Sequence, residues 1–237
     1  MLIASKLYYF DTIESTNEYA KQLLDKEVPE GTVVLADTQT SGKGRLAKTW
    51  YSPEGGIWMS VILYPKDPAL LSIAGAVAVC EALHVNGILP GIKWPNDILL
   101  NGKKIAGILV EVMENATIVG IGLNLNIRKF PLDLADIASS VFLETKKHLE
   151  KKMIYDHLCK SLDDCYKLLQ NNLGKELLTK WRHYTVILGQ KVMIDMAGKL
   201  VEGKVLDISN DGALVLMKLD GSIQRVPAGV CHMLKGR

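Results

Sequence analysis

"GIKWPNDILLNGKKIAGILVEVMENATIVGIGLNLNI", residues 91–127, decides how the chain folds. It is a series of apolar, β-branched runs separated by turn residues, and it has no helical spacing. Asn101-Gly102 is a strong hairpin signal, and Glu114-Asn115-Ala116 is a weaker turn. The stretch is therefore expected to be strands joined by tight turns.

Working outward, "IWMSVILY" (57–64) reads as a buried strand, "GTVVLA" (31–36) as another and "LYYF" (7–10) as a short one. Ser15 and Glu18 have capping-box spacing, which predicts a helix from about Thr16. Asp67-Pro68 supplies an N-cap followed by Pro at the first helical position, and that helix should run to about Val85. Residues 133–184 read as mostly helical, with a break at Gly174. From Val186 onward, short strands alternate with Ala-Gly, Asn-Asp-Gly and Asp-Gly turns, the pattern of a small β-barrel. The expectation is an α+β fold: a mixed sheet with helices over residues 1–184, then a small β-barrel domain over 185–237.

Composition narrows the function. The 28 Lys+Arg against 26 Asp+Glu leave a net charge of +2, so bulk nucleic-acid affinity is not expected and any basic role must be local. No apolar run reaches the roughly 18 residues a membrane span needs. The N-terminus reaches charge at Lys6 without the layout of a signal peptide. A cytoplasmic protein with no membrane partner is expected. The cysteines Cys80, Cys159, Cys165 and Cys231 form no C-x-x-C pair and no zinc spacing, and read as reduced, buried thiols. The histidines are scattered and suggest no triad.

One loop stands out. "TQTSGKGRLAKTW" (38–50) sets two glycines among Lys43, Arg45 and Lys48. It is not a P-loop, because Asp37 replaces the first Gly and Gly44 the magnesium-binding Ser/Thr. Gly42, Gly44 and Ala47 match the letters of a Rossmann fingerprint. However, the chain then runs into Pro53, Gly55 and Gly56, which offer no helix N-terminus for a pyrophosphate. The physics still suits an anion, since glycines let backbone N–H groups approach closely. The plainer reading is a solvated basic loop.

"KWPND" (93–97) packs a cation, a ring, an amide and a carboxylate into a strand approach. The hairpin then delivers Lys103 and Lys104 into an apolar strand, where alternation turns one of them inward. At these residues the chain resembles a biotin–protein ligase. "GKGRLAKTWYSPEGG" (42–56) resembles that family's glycine-rich signature, and "KWPNDILLNGKKIAGILVE" (93–111) its second signature. "STN" (15–17) and "GIGLNLN" (120–126) fall in the expected order. The chain departs from the usual pattern at Lys43, where arginine is usual, and at Ala47, where glycine is usual. Lysine keeps the charge but loses the bidentate fork.

The resemblance implies a class II synthetase-like catalytic fold with an SH3-like C-terminal barrel. It also implies two half-reactions. Biotin and ATP first form biotinyl-5′-AMP and pyrophosphate, and biotin then passes to a lysine of a biotin carboxyl carrier domain. By resemblance, Lys104, Arg45 and Asp97 are the catalytic candidates, with Lys104 contacting both the biotin carboxylate and the α-phosphate. Ser15, Thr16, Asn17, Gln39, Lys43, Gly44 and Gly107 join Arg45 and Lys104 around biotin. Lys48, Trp50, Lys93, Asn96 and Asn124 join Lys43 and Arg45 around the nucleotide. Trp94 reads as core packing. Magnesium is expected only on the ATP phosphates, and loop 38–50 is expected to close over the reactive anhydride. The chain starts at the catalytic region with no counterpart of the helix-turn-helix domain of bifunctional relatives, so action on DNA is not expected. A homodimer through sheet edges is. The rival is a lipoate–protein ligase of the same fold, whose typical R-R-x-S-G-G-G segment is absent here.

Overall fold

The 91–127 stretch forms the middle and one edge of a seven-stranded mixed sheet in the computed structural model, which describes residues 1–234. The strands are β1 (Leu7–Ile13), β2 (Val33–Gln39), β3 (Ile57–Leu63), β4 (Gly91–Lys93), β5 (Asp97–Leu100), β6 (Lys103–Val112) and β7 (Thr117–Leu123). Their spatial order is β1-β2-β3-β7-β6-β5-β4. Among these seven strands, only β1 and β2 pair with each other in parallel. The predicted turn between β5 and β6 forms, with Asn101 at φ 51° and Gly102 at φ 81°, the left-handed pair a tight hairpin requires.

Strand alternation gives the sheet two unlike faces. On one, Met59, Val61, Ile108, Val119 and Ile121 enter a large apolar core with α2 (Leu71–His84), α4 (Lys151–Gln170) and α5 (Gly174–Tyr184). Helix α2 is almost wholly buried because it lies between the sheet and α4, so it carries no polar stripe. On the other face, Val34, Ile62 and Ile118 pack with Ala20 and Leu23 of α1 (Thr16–Leu24). Ser15 caps α1 as expected. Helix α1 covers only part of this face, and the functional cavity opens beside it.

The α2 start differs from the Asp67-Pro68 expectation. Asp67 Oδ1 accepts the Ala69 N–H at 2.9 Å and makes only a local turn, and the helix begins at Leu71. Residues 133–140 are not helical either. The helices in this region are α3 (Val141–Thr145), capped by Ser140, then α4 and α5. The break falls at residues 171–173, where Asn172 has φ 60°, and Gly174 opens α5.

The C-terminal strands are β8 (Lys191–Met196), β9 (Lys199–Ile208), β10 (Leu214–Met217), β11 (Ile223–Val226) and β12 (Val230–Met233). They form an antiparallel sheet in the order β11-β10-β9-β8-β12. The expected barrel is not closed: among the described residues β11 and β12 are opposite edges with no ladder between them. Pro227 in their short connection has no N–H to extend a ladder. Residues 235–237 of the expected 185–237 domain lie outside the described residues. Val192, Val205 and Leu216 of this sheet join the same apolar core as α2 and α5. Trp94 Nε1 donates to the Gly212 carbonyl at 3.0 Å, and Arg182 holds Asp207 at 2.7 Å.

Candidate active site

The site begins with glycines. On β6 and β7, Gly107, Gly120 and Gly122 face away from the α2 core. A Cβ on Gly120 would lie 2.3 Å from Asn17 Oδ1, and one on Gly122 would lie 2.4 Å from Trp50 Nε1. Their missing side chains let Asn17 and Trp50 lie flat on the sheet. The cavity over this floor measures about 670 Å³, in the range of small-molecule sites. Every site residue expected from the sequence borders it, drawn from the start of α1, loop 38–50, β4 to β6 and residue 124.

The polar end is built at the start of α1. The Thr16 N–H donates to Gln39 Oε1 at 2.8 Å, and Gln39 Nε2 donates to Ser52 Oγ at 2.8 Å. Asn17 Nδ2 donates to Glu111 Oε2 at 2.7 Å. Ser15, Thr16 and Asn17 are all buried, so their polar atoms are held by partners rather than by bulk water.

The charged centre lies on β4 to β6. Asp97 pairs with Lys104, and its other oxygen is 3.0 Å from Lys93 Nζ. Burial works to raise the Asp97 carboxyl, but the two ammonium groups outweigh it and hold the group below the usual carboxylate range. Lys104 Nζ also stands 5.0 Å from the centre of the Trp50 ring. Arg45 reaches in from the loop and donates to Asn96 Oδ1 at 2.9 Å and to the Gly229 carbonyl at 3.2 Å. Burial lowers its guanidinium somewhat, with Asp97 working the other way. Three cations around one carboxylate leave this centre positive, as an anionic ligand requires. Lys103 turns the other way and donates to the Ala135 carbonyl at 3.1 Å, as the alternation implies.

Loop 38–50 folds back on itself. The Trp50 N–H donates to the Gly42 carbonyl at 2.9 Å, and the Gly44 N–H to the Lys48 carbonyl at 2.7 Å. A single 3₁₀ turn, Arg45–Ala47, fills the bend, so no helix follows the glycines and neither nucleotide-loop motif applies. Leu46 and Ala47 sit at φ 55° and 57°. The usual glycine at position 47 thereby acquires a physical reason, since a left-handed alanine costs about 1 kcal/mol. Lys43 and Lys48 are exposed, and among the described residues neither forms an ion pair.

At the remaining end, Asn124 Nδ2 donates to the Ser139 carbonyl at 2.9 Å, but its buried Oδ1 has no partner among the described residues. Trp50 Nε1 is buried and likewise without a partner among the described residues. The cavity thus holds one acceptor and one donor that the described residues leave without a partner. Trp94, 1% exposed, is core packing that ties the C-terminal sheet to the site.

Sequence reasoning missed two parts of the wall. Phe130, Leu134 and Ile137 form an apolar side, and Val230 and His232 of β12 lie at the mouth. It also assigned no role to Ser60 or Glu111, although Glu111 shares the alternation that puts Gly107 on the site face. Among the described residues no group of three or more His, Cys, Asp or Glu could hold a metal ion. No helix there is long and apolar enough to cross a membrane.

Comparison with known proteins yields a consistent set of likenesses. Residues 9–127 match the biotin/lipoate A/B protein ligase family, and residues 187–234 match the biotin protein ligase C terminal domain. The bifunctional ligase/repressor BirA of Bacillus spizizenii is 35% identical, covering 93% of this chain and 72% of its own. The biotin–[acetyl-CoA-carboxylase] ligase of Mycobacterium tuberculosis is 30% identical, covering 86% of this chain and 80% of its own. Among solved structures, a biotin protein ligase from Aquifex aeolicus in complex with biotin and ATP superposes with a TM-score of 0.88 at 29% identity. It covers 98% of this chain and all of its own.

Proposed function

The chain belongs to the biotin/lipoate A/B protein ligase family, and from that premise we propose how the cavity described above performs the activity of a biotin–protein ligase. The named relatives favour biotin over lipoate as the acid. The observation that carries the residue assignment is Lys104. It is paired with Asp97, and its Cε is 3.3 Å from where a Cβ on Gly107 would stand, on the glycine floor between the polar end and Asn124.

In the first step a biotin carboxylate oxygen attacks the α-phosphorus of ATP. The bond to the bridging oxygen breaks and pyrophosphate leaves with the electron pair. Two anions must meet, so cations already in place lower the barrier without reorganising. Lys104 and Arg45 supply them, and Asp97 with Lys93 holds the Lys104 ammonium in position. Thr16, Asn17 and Gln39 present hydrogen-bonding groups to the ureido ring, with Ser15, Lys43, Gly44 and Gly107 completing the biotin side. The Asn124 acceptor and the Trp50 ring suit the adenine, and Lys48 and Asn96 stand on the phosphate and ribose side. Magnesium would enter on the ATP phosphates, and no step is assigned to it.

In the second step the ε-amine of a carrier-domain lysine attacks the acyl carbon, AMP leaves and the amine loses its proton. Loop 38–50 excludes water from the anhydride until then. Residues 1–184 are the catalytic domain and 185–237 the C-terminal domain. A homodimer through a sheet edge, with β1 as the uncovered edge, and a cytoplasmic setting belong to the same proposal. Incubation with ATP, magnesium and a biotin carboxyl carrier domain tests it. Biotin should label one carrier lysine and lipoate should not, and labelling by lipoate alone would reverse the substrate assignment.

A further inference from the structure

Thr16 and Asn17 reach the cavity, but two side chains behind them set what they present. Ser60 on β3 is fully buried, with Oγ 2.5 Å from Asn17 Oδ1 and 2.7 Å from Thr16 Oγ1. Glu111 on β6 accepts from Asn17 Nδ2 at 2.7 Å through one oxygen and from Lys21 Nζ at 2.8 Å through the other. Neither Ser60 nor Glu111 lines the cavity.

The polarity of the Asn17 leg is forced, and the shorter contact decides the Thr16 leg. A carboxylate only accepts, so Asn17 must turn its NH₂ to Glu111 and its oxygen to Ser60. That amide oxygen also only accepts, so the single Ser60 proton points at Asn17. Ser60 Oγ is then left to accept from Thr16 at 2.7 Å, a shorter approach than the 3.1 Å between Thr16 Oγ1 and Gln39 Oε1. With its proton committed to Ser60, Thr16 Oγ1 faces the cavity as an acceptor. Asn17 keeps one N–H to donate. A ureido ring offers N–H donors and one carbonyl acceptor, the complementary set.

We infer that Ser60 and Glu111 are positioning residues of the biotin pocket, orienting the Thr16 hydroxyl as an acceptor and the Asn17 amide as a donor toward the ureido ring. This rests on the cavity being the biotin site. The network explains why Gly120 lies beneath Asn17: an amide pinned from both ends has no room to shift from a Cβ.

The test is steady-state kinetics of adenylate formation, with KM for biotin and for ATP measured separately in Ser60→Ala, Ser60→Cys, Glu111→Gln, Thr16→Ala and Asn17→Ala. Ser60→Ala and Glu111→Gln should each raise the biotin KM about tenfold, the effect of one buried hydrogen bond, with the ATP KM unchanged. Ser60→Cys, a weak donor of similar size, should recover part of the loss. In an Asn17→Ala background, Ser60→Ala should cost less than it does alone. A wild-type biotin KM in Ser60→Ala and Glu111→Gln, with a raised one in Thr16→Ala and Asn17→Ala, overturns the positioning role and leaves the biotin site standing. If Thr16→Ala and Asn17→Ala are also unaffected, both the role and the site assignment fall. Equal rises in both KM values would mark a merely structural role and overturn the inference. If Ser60→Ala does not fold, Glu111→Gln decides by the same criterion, at a side chain 28% exposed.

Discussion

Asp97 joins Lys104 on β6 to Lys93 on β4, one carboxylate bridging two cations across neighbouring strands. Asp97→Asn should leave both ammonium groups without their counter-charge and free Lys104 to swing. The adenylation kcat should fall about 10²-fold, the scale of losing a positioned charge, with a smaller change in the biotin KM. Presteady-state measurement of pyrophosphate release checks this, and an unchanged kcat would show that Lys104 needs no partner.

Gly120→Ala should act on biotin alone. The added methyl would meet Asn17 Oδ1 at 2.3 Å and push the amide off the sheet. Overpacking of this kind costs about 1–3 kcal/mol. The biotin KM should rise about tenfold or more, while the ATP KM, which depends on the other end of the cavity, should hold. Titration of each substrate against the variant separates the two effects.

Much of this site could be read from residue order. Lys104 and Gly107 follow from alternation on a strand that begins after an Asn-Gly turn, and the hairpin itself fixes which face they share. The missing wall could not be read this way. Residues 137–139 are held beside Lys104 by backbone pairing, with the Lys104 N–H donating to Ile137 O at 3.0 Å and the Ser139 N–H to Lys104 O at 2.9 Å. Such long-range pairing leaves no local periodicity, and the segment looked like the start of a helical region. The barrel expectation failed for a related reason. Four strands and the turns between them were legible, but the fifth, β12, and whether β11 meets it depend on a three-dimensional path that passes Pro227. The Asp67-Pro68 signal introduces the right helix but caps only a local turn, so α2 starts a few residues later, at Leu71.

Lys43→Arg should improve retention of the intermediate. Lys43 is exposed and borders the cavity, and among the described residues it forms no ion pair. A guanidinium there would offer a bidentate fork to the phosphate. The release rate of labelled biotinyl-5′-AMP, measured by chase with unlabelled biotin and ATP, should fall several-fold, on the order of 1 kcal/mol. A release rate equal to that of the wild type would show that Lys43 does not touch the phosphate.

Loop 38–50 should resist trypsin only when loaded. Cleavage after Lys43, Arg45 and Lys48 should slow at least about tenfold with biotin plus ATP, since closure removes the open population. Ala47→Gly, which relieves a left-handed alanine, should shift the rate without the ligands. Equal cleavage with and without ligands would contradict a closing lid.

Asp163 gives the clearest pH dependence of stability. It is buried, accepts from the Leu2 and Ile3 N–H groups at 2.6 and 3.0 Å, and pairs with Lys167 at 2.7 Å. Burial opposes ionisation, but these partners outweigh it and hold the carboxyl below the usual carboxylate range. A depressed folded-state value adds stability above the unfolded value that is lost as pH falls through the folded one. Asp163→Asn should therefore lower Tm at pH 7 by several degrees, on the scale of a lost buried hydrogen-bonded charge, and the gap should shrink below about pH 4.

The central claim is that this cavity activates biotin through Lys104. Its most direct test is ATP–pyrophosphate exchange by wild type and Lys104→Ala, each with biotin, with lipoate and with neither. The account predicts exchange by the wild type only with biotin, and a loss of about 10²- to 10³-fold in Lys104→Ala with the fold retained by circular dichroism. Exchange supported equally by lipoate, or undiminished in Lys104→Ala, would contradict it.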